Sequence, residues 1–383
     1  MIKTTMRTLP ALMLLAFSGL ASAAGFQSLE QNASGLGVAY AGSAAIADNA
    51  STVFYNPAGM TQLGGFHFSA GVVGVSESHK FRSVAGVSSG GDAGESAMLP
   101  NAYLTWQINP RLSAGLGISR PFQMATDYNA GWTGAAEGIE SEISTVNINP
   151  AVAYKVNDKL ALGFGLNYQT MDVRLTDSTA SFKADDGAVG WNVGALFTLS
   201  PAMRVGVAYR SGIDYKLEGR RNGVAAKADV ELPGVFTLSV WQQVSDRWEA
   251  MGDLSYTRWS SVDRVAVVNR ATGAVLANEV FNADNAWRIA WGAAYKMSDT
   301  SKFKFGVAYD RSPVSDSNRS VRLPDNDRLW LSLGGQWKFG RASVIDAGYA
   351  YRYMRDAKIA DGAAVGKYES GAHVVGVQYS VGF

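Results

Sequence analysis

Residues 345–353 read Ile-Asp-Ala-Gly-Tyr-Ala-Tyr-Arg-Tyr, and this short stretch decides the fold class of the chain. Successive side chains of an extended chain point to opposite sides. One side of this stretch therefore carries an isoleucine, an alanine and three tyrosines, whereas the other carries aspartate, glycine, alanine and arginine. Alternation with a period of two residues predicts a β-strand with one apolar and one polar face.

The same alternation recurs along the chain, for example in residues 247–256, 287–295 and 303–310. Their apolar faces carry large aromatic side chains near the ends, whereas the opposite faces are polar or small. A transmembrane barrel has this pattern, with lipid outside, a polar lumen and aromatic girdles at both membrane interfaces. We therefore expect an all-β protein whose apolar faces point outward. The alternative is a secreted soluble all-β protein with those faces turned inward.

The sequence predicts a closed antiparallel barrel of fourteen transmembrane strands. The strands are expected to start near Gly64, Ala97, Arg111, Glu142, Lys159, Ala188, Met203, Val230, Arg247, Asn285, Lys302, Asn326, Ser343 and Ser370. An even number suits a bacterial barrel, which leaves no unpaired strand edge in lipid. Short turns should lie on the periplasmic side and longer loops outside the cell. The predicted long loops are residues 76–96, 122–141, 261–284, 311–325 and 354–369.

The composition excludes several classes of protein. The 383 residues include 42 glycines and only 17% charged residues, whereas disordered chains are highly charged and poor in aromatics. Lysine and arginine total 34 against 33 acidic residues, so no basic field is available for a nucleic acid partner. Because the chain has no cysteine, disulfides, thiolate metal sites and cysteine nucleophiles are excluded.

The N-terminus predicts export. Lys3 and Arg7 precede an apolar stretch at residues 9–20, and Ala21-Ser22-Ala23 is a small-residue cleavage pattern. This arrangement predicts a cleaved signal peptide at residues 1–23 and a location in the bacterial outer membrane. An uncleaved membrane anchor is the alternative. No later stretch approaches 18 consecutive apolar residues, so no transmembrane helix is expected after it.

Residues 24–63 precede the first strand, and the barrel is expected to span residues 64–383. The segment 24–63 is small and polar, rich in glycine and alanine, and lacks a long apolar face. It cannot build a core of its own, so we expect it to fill the barrel lumen as a hatch. The alternative is a disordered periplasmic tail.

Several motifs resemble, in this order, the outer-membrane family of long-chain fatty acid and aromatic hydrocarbon transporters (FadL-like proteins). They are Ala24-Gly25-Phe26-Gln27, Ser34-Gly35-Leu36-Gly37, Ala45-Ile46-Ala47-Asp48-Asn49, Asn56-Pro57-Ala58, Tyr209-Arg210-Ser211, Tyr256-Thr257-Arg258-Trp259-Ser260, Asp310-Arg311-Ser312-Pro313 and Pro324-Asp325-Asn326-Asp327-Arg328. The resemblance covers essentially the whole chain after residue 23. It implies a fourteen-stranded barrel with an N-terminal hatch, which agrees with the strand count made independently of it.

The resemblance also implies a function: passive uptake of hydrophobic compounds across the outer membrane. Cargo would be captured at external loops, transferred to a lumenal pocket, and released sideways through the barrel wall. The implied partners are hydrophobic small molecules, outer-membrane lipid and lipopolysaccharide, and the protein is expected to be a monomer. The residues that we expect on this path are Phe26, Asn56, Pro57, Ala58, Pro121, Phe122, Tyr128, Trp132 and Arg288.

Pro121 is the most informative of these residues. Proline has no backbone N–H, so it is confined to bulges and unpaired positions of a sheet. In the resembled family the third strand is kinked inward and leaves a gap in the wall, and Pro121 matches that region. The alternative is that the third strand simply ends at Arg120. The aromatic loop that follows, with Tyr128 and Trp132, is the candidate capture site; membrane-interface anchoring is its alternative.

Enzymatic motifs are largely absent. His67, His79 and His373 do not lie at metal-site spacing with carboxylates, and no G-x-S-x-G motif occurs. The sequence therefore predicts no catalysis, no metal and no cofactor. An outer-membrane phospholipase is one alternative, because a Ser/His pair need not be local in sequence. A surface-antigen barrel and a general porin are the others.

The substrate stays open between a fatty acid and a neutral hydrocarbon. Fatty-acid members of the resembled family hold the carboxylate with basic lumenal residues, but Asp177 stands where one arginine is expected. Alternation places Arg288 and Arg352 in the lumen, where salt bridges with Glu249, Asp253 or Asp346 would also account for them.

Overall fold

The computed structural model describes residues 25–86, 88–340 and 342–383, so the predicted signal peptide lies outside the described residues. The described chain forms one antiparallel sheet of fourteen strands, six of which have two segments. The strands are β1 (Phe66–Ser83), β2 (Ser96–Asn109), β3 (Leu112–Ser119 and Gln123–Asp127), β4 (Glu140–Asn157), β5 (Leu160–Thr176), β6 (Ser181–Ser200), β7 (Met203–Arg210 and Ile213–Arg221), β8 (Val224–Leu232 and Val235–Gln243), β9 (Trp248–Thr257 and Arg264–Asn269), β10 (Val275–Val280 and Ala286–Lys296), β11 (Ser301–Asp310), β12 (Arg328–Phe339), β13 (Ser343–Met354 and Ala357–Asp361) and β14 (Ala364–Gly382).

The sheet closes into a barrel because its first and last strands pair. Strand β1 pairs with β14 from His67↔Gly382 to Ser83↔Gly366, and each other strand pairs with its sequence neighbours. Closure removes the free edges, which satisfies the backbone hydrogen-bonding groups without water. The predicted fourteen-stranded antiparallel barrel is confirmed.

The two faces of the strands point as the alternation predicted. On β12, Leu329, Leu331 and Leu333 are 40 to 52% exposed on the outer surface. Arg328 and Ser332 alternate with them and are buried inside the barrel. The apolar faces therefore contact lipid and the polar faces line the lumen, which contradicts the soluble alternative.

The strands extend further outward than the sequence predicted. Residues 261–284 and 354–369 were expected to be loops, but each contains a β-hairpin. In these extensions the apolar residues face inward and the charged residues face outward, which is the reverse of the membrane-embedded part. On β7, Asp214, Lys216 and Glu218 are exposed outside, whereas Tyr215 and Leu217 are buried inside. Charged outer faces place the extensions beyond the hydrocarbon layer, where a search for apolar outer faces could not detect them.

Residues 25–63, called the N-terminal segment below, lie against the inner wall. The segment contains two 3-10 turns, Leu36–Val38 and Pro57–Gln62, and one helical turn, Thr52–Tyr55. No helix among the described residues is long and apolar enough to cross a membrane. A row of inward-facing glycines on adjacent strands lets residues 36–38 approach the wall. This row consists of Gly292, Gly306, Gly334 and Gly348.

We expect Gly306→Ala to loosen the N-terminal segment. A Cβ at this position would lie 2.3 Å from the carbonyl carbon of Val38, a backbone atom that cannot yield locally. Overpacking of this kind costs about 1–3 kcal/mol. Limited proteolysis should cut the segment faster while barrel mobility on gels stays normal. Gly64→Ala is the matched control, since its Cβ would lie 3.7 Å from a flexible glutamine side chain; equal sensitivity of the two variants would contradict this packing.

Candidate functional site

The outer half of the lumen has a continuous apolar lining. Inward-facing side chains from β3 to β10 pack together there with residues of the N-terminal segment and of the β11–β12 loop. We call this set the lumenal apolar cluster. Its members are Phe26, Phe122, Met124, Ile143, Met171, Val173, Phe182, Ala184, Ile213, Tyr215, Leu217, Ala226, Ala228, Val230, Leu232, Trp259, Val262, Val267, Ala286, Val314 and Leu323. A water-filled pore would carry polar residues at these positions.

Three aromatic rings from different parts of the chain meet in this cluster. Phe26 packs edge to face on Trp259 at 4.8 Å between ring centroids and on Phe122 at 6.1 Å. Phe122 and Trp259 are 6.3 Å apart. Gly25 makes the contact possible, because its φ of +96° favours glycine and a Cβ would lie 2.6 Å from the indole of Trp259. The predicted residues Phe26 and Phe122 therefore lie together in the lumen.

Sequence reasoning missed Trp259. Alternation along β9 places Ser255 and Thr257 on the inner face, and Trp259 continues that parity. A large aromatic residue on a polar inner face was the available signal.

The wall is open between β2 and β3. Strand β3 breaks at residues 120–122 and then resumes, as Pro121 predicted. Strands β2 and β3 pair up to Ala102↔Ile118, and one further bridge joins Gly94 to Thr126 in the same register. Among the described residues, no backbone pairing joins the two strands between these points. On its other side, β3 stays paired with β4 through both segments.

The N-terminal segment covers the inner side of this break. The N–H of Ser28 donates to the carbonyl of Pro121 at 2.9 Å, and the N–H of Gln123 donates to the carbonyl of Phe26 at 2.9 Å. The side-chain amide of Gln31 then bonds both backbone groups of Arg120, at 2.8 and 2.7 Å. The segment thus takes the place of the missing strand partner.

A cavity of about 70 Å³ lies in the gap. Apolar residues of both strand edges, Leu99 and Met124 among them, line one side of it, and Phe26 lines another. The titratable residues of its lining are Glu30, Glu77, His79, Glu95, Asp325, Arg328 and Arg352. The opening therefore joins apolar surface to a polar wall of fixed charges.

Those charges are largely neutralised within the wall. Arg352 pairs with Glu30 of the N-terminal segment at 3.3 Å and with Glu77 of β1. Arg288 pairs with Asp310 at 2.9 Å and donates to the carbonyl of Ala39 at 2.6 Å. Alternation placed both arginines in the lumen, and the structure has them there in ion pairs, although not with the carboxylates suggested for the alternative. A role of Arg288 on the cargo path stays a prediction. Glu249 and Asp346 pair with lysines instead, and Asp253 accepts hydrogen bonds from serines.

Asp325 ties the start of the N-terminal segment to the β11–β12 loop. Its carboxylate accepts from the N–H of Gly25 at 2.9 Å, from the hydroxyl of Ser312 at 2.7 Å, and from Arg328 at 2.9 and 2.7 Å. Arg328 also donates to the carbonyl of Gly25 at 2.7 Å. Asp325 belongs to the motif Pro324-Asp325-Asn326-Asp327-Arg328, but the motif alone did not predict this role.

The residues Asn56, Pro57 and Ala58 lie away from the cavity in the gap. The Asn56 side chain caps the turn by accepting from the N–H of Ala58 at 3.1 Å. Its amide donates to the carbonyls of Ala44 at 2.8 Å and Ala195 at 3.0 Å. This trio therefore fastens the N-terminal segment to the wall, and a direct role on the cargo path stays a prediction.

Tyr128 and Trp132 are both buried beneath the external loops. Their rings stack at 4.0 Å, and the Tyr128 hydroxyl bonds the carbonyl of Val321 at 2.7 Å and the hydroxyl of Tyr368 at 2.8 Å. Burial raises the pKa of the Tyr128 phenol well above its ordinary value, so the group stays a neutral donor. In this arrangement the two rings pack with Phe81, Val321 and Tyr368, and capture of cargo by them stays a prediction.

Asp325→Asn should release the first residues of the N-terminal segment. The change removes a buried carboxylate from Arg328, and breaking a buried pair typically costs about 3–5 kcal/mol. We expect a cysteine at Gln27 to react with a small maleimide roughly tenfold faster or more in this background. Asp299→Asn, whose ion pair with Lys296 lies on the surface, is the control. Unchanged reactivity would show that Asp325 is not the anchor.

Comparison with known proteins agrees with this architecture. The profile of the outer membrane protein transport protein family (OMPP1/FadL/TodX) matches residues 14–383. The chain is 27% identical over 425 residues to the long-chain fatty acid transport protein of Escherichia coli strain K12, covering 94% of each chain. It is 31% identical over 405 residues to outer membrane protein P1 of Haemophilus influenzae strain Rd, covering 88% of each.

Solved structures show the same fold. A crystal structure of a Pseudomonas aeruginosa FadL homologue matches with a TM-score of 0.87 at 23% identity, covering 94% of this chain and 100% of that one. The Pseudomonas putida toluene transporter TodX matches with a TM-score of 0.71 at 16% identity, covering 94% and 99%. The chain belongs to the outer membrane protein transport protein family (OMPP1/FadL/TodX), whose members are β-barrel proteins of the outer membrane.

Proposed function

We propose that this protein carries hydrophobic compounds passively across the outer membrane and releases them sideways through its wall. The observation that carries the proposal is the unpaired gap between β2 and β3, placed directly beside the lumenal apolar cluster. Cargo that leaves through this gap enters the lipid and never has to pass the N-terminal segment. The relatives named as fatty acid transport proteins and the toluene transporter support this class of cargo.

The lumenal apolar cluster supports a hydrophobic cargo. Burying a methylene group is favourable by about 0.8 kcal/mol, so a lining of this kind captures an alkyl chain or an aromatic ring without polar contacts. A surface-antigen barrel has no need of such a lining, and a general porin would be obstructed by the buried N-terminal segment. We therefore assign residues 24–63 as a hatch and residues 64–383 as the barrel.

The remaining parts of the proposal concern the cellular context. We propose that residues 1–23 are a signal peptide that is cleaved on export, and that the protein acts as a monomer among outer-membrane lipid and lipopolysaccharide. Transport needs neither catalysis nor a cofactor, because an apolar solute moves down its own gradient. Among the described residues, no cluster of histidine and carboxylate side chains could hold a metal ion.

The choice between a fatty acid and a neutral hydrocarbon depends on the lumenal arginines. Arg288, Arg328 and Arg352 each hold a carboxylate of the protein itself. A fatty acid carboxylate would have to compete with those partners, whereas a neutral hydrocarbon would not. Binding of oleate, oleyl alcohol and an alkylbenzene to the purified barrel would rank the candidates directly.

Closing the gap between β2 and β3 should block transport. Continuation of the register from Ala102↔Ile118 to Gly94↔Thr126 places Ala97 opposite Gln123. We expect a disulfide between cysteines at these two positions, with Pro121→Val to restore a backbone donor, to lower uptake at least fivefold. Reduction should restore uptake, because the chain has no cysteine of its own.

The control is a second disulfide in the same strand pair. Leu104 and Leu116 are already partners in the paired part of β2 and β3, so cysteines there change no opening. Heat-dependent gel mobility checks that both variants form the barrel. Normal uptake by the fully crosslinked variant would refute lateral release and would imply that the cargo passes the hatch instead.

Phe26→Ala should alter uptake without reducing the amount of barrel. The ring contributes apolar contacts to Phe122 and Trp259, but its side chain takes no part in strand pairing. We expect a two- to tenfold change in the uptake rate of oleate and toluene at normal surface expression. Unchanged rates for both compounds would place Phe26 outside the cargo path.

A further inference from the structure

The wall has a second interruption, between β8 and β9. Toward the cell exterior the two strands pair at Lys227↔Val268, and toward the periplasm their pairing resumes at Val235↔Thr257. Residues 228–234 of β8 therefore face residues 258–267 of β9, a stretch that is three residues longer. Unlike the gap at β3, this interruption changes the strand register.

The additional residues fold inward. They form a 3-10 turn at Trp259–Ser261, and the turn delivers the Trp259 ring into the lumen against Phe26. The indole N–H of Trp259 is buried without a hydrogen-bond partner in the described chain. The ring is therefore held by apolar contacts alone, and no hydrogen bond of its side chain opposes its displacement.

A cavity of about 450 Å³ occupies the interruption, within the range of small-molecule sites and far larger than the cavity at β3. Its inner wall is Tyr215, Val230 and Val262, all members of the lumenal apolar cluster. Its outer rim is charged and consists of Asp214, Lys216, Asp229, Glu231, Asp263 and Arg264. The cavity thus lies between the outer surface of the barrel and three buried side chains of the lumenal apolar cluster.

Neighbouring side chains indicate the height of this opening in the membrane. Phe236 and Tyr256, paired directly below it, are each 38% exposed on the outer surface, as expected of an aromatic girdle. Above them the outward positions of β7 and β8 carry charges. The opening therefore lies at the level of the outer-leaflet headgroups.

The outer end of the barrel is covered by the β11–β12 loop. Arg322 of this loop reaches β4 and β5, where it donates to the carbonyl of Glu140 at 3.3 Å, the hydroxyl of Ser141 at 3.1 Å and the carbonyl of Thr176 at 3.2 Å. Val314 and Leu323 of the loop face down into the lumenal apolar cluster. A solute above the barrel would have to break these contacts to enter from the top.

We propose that hydrophobic cargo enters sideways, from the outer-leaflet headgroup region, through the opening between β8 and β9. An apolar solute concentrated in that leaflet reaches Val230 and Val262 without crossing the covered outer end. The aromatic contact of Trp259 with Phe26 and Phe122 then separates this entrance from the gap at β3. This inference rests on the proposed uptake function and adds to it a separate, lateral entrance.

Two independent changes test the entrance. Continuation of the outer register places Glu231 opposite Arg264, so cysteines there would form a disulfide across the opening. The control disulfide joins Lys227 to Val268, which are already paired. A second variant, Asp263→Cys, carries a bulky polyethylene-glycol maleimide on the rim, and Thr272→Cys at the exposed tip of the β9–β10 hairpin is its control. Uptake of radiolabelled oleate and of toluene into cells is measured, with gel mobility as the folding check.

We expect at least a fivefold loss of uptake of both compounds on closing the opening by either route, and no loss in the controls. Normal uptake by both the disulfide and the labelled variant would overturn the entrance. The disulfide between positions 97 and 123 separates the two hypotheses. If it blocks uptake while closure at β8 and β9 does not, only the entrance is refuted; if neither closure has an effect, lateral release is refuted as well.

Discussion

The constraint on which this structure depends is that backbone N–H and C=O groups cannot be left unpaired in lipid. Fourteen strands satisfy it by closing β1 onto β14 over the full length of both strands. A sheet that obeys this rule everywhere gives a sealed wall with no sideways route. Every lateral passage must therefore interrupt the pairing of neighbouring strands, and the backbone groups left unpaired there need other hydrogen-bond partners.

The two interruptions are compensated in different ways. The break in β3 lies deep enough in the membrane for its backbone groups to require protein hydrogen-bond partners. The N-terminal segment supplies these partners from Phe26, Ser28 and Gln31. Between β8 and β9 the interruption lies above the aromatic girdle and has a charged rim, at a level where water can reach the backbone. The depth of each break thus decides whether its backbone requires protein partners. The N-terminal segment hydrogen-bonds the backbone of β3, whereas at the interruption between β8 and β9 its Phe26 ring packs on the side chain of Trp259.

The barrel could be predicted from sequence because apolar and polar side chains alternate along its strands with a period of two residues. Alternation fixes which side chains face lipid, and the residues Arg288 and Arg352 were placed in the lumen on this basis alone. Pro121 also indicated the break in β3, because proline lacks a backbone N–H and this can be read directly from the sequence. By contrast, the ion-pair partners depend on which strands lie side by side and on where the N-terminal segment packs, as for Glu30 with Arg352. The inward turn at Trp259 was equally hidden, because a change of register leaves no periodic signal.

The aromatic contact of Phe26, Phe122 and Trp259 gives the two interruptions a common centre. Phe122 belongs to the broken part of β3, Trp259 to the inward turn of β9, and Phe26 to the segment that covers the deeper break. Displacement of Phe26 by an apolar solute in the lumen would remove the contact that both rings share. Because the carbonyl of Phe26 also accepts from the N–H of Gln123, the same displacement strains the backbone pairing that covers the gap at β3. If cargo binds in the lumen as proposed, its binding and the loosening of the wall would therefore be coupled through Phe26, while the hydrogen bond from Gly25 to Asp325 would limit how far the segment can withdraw.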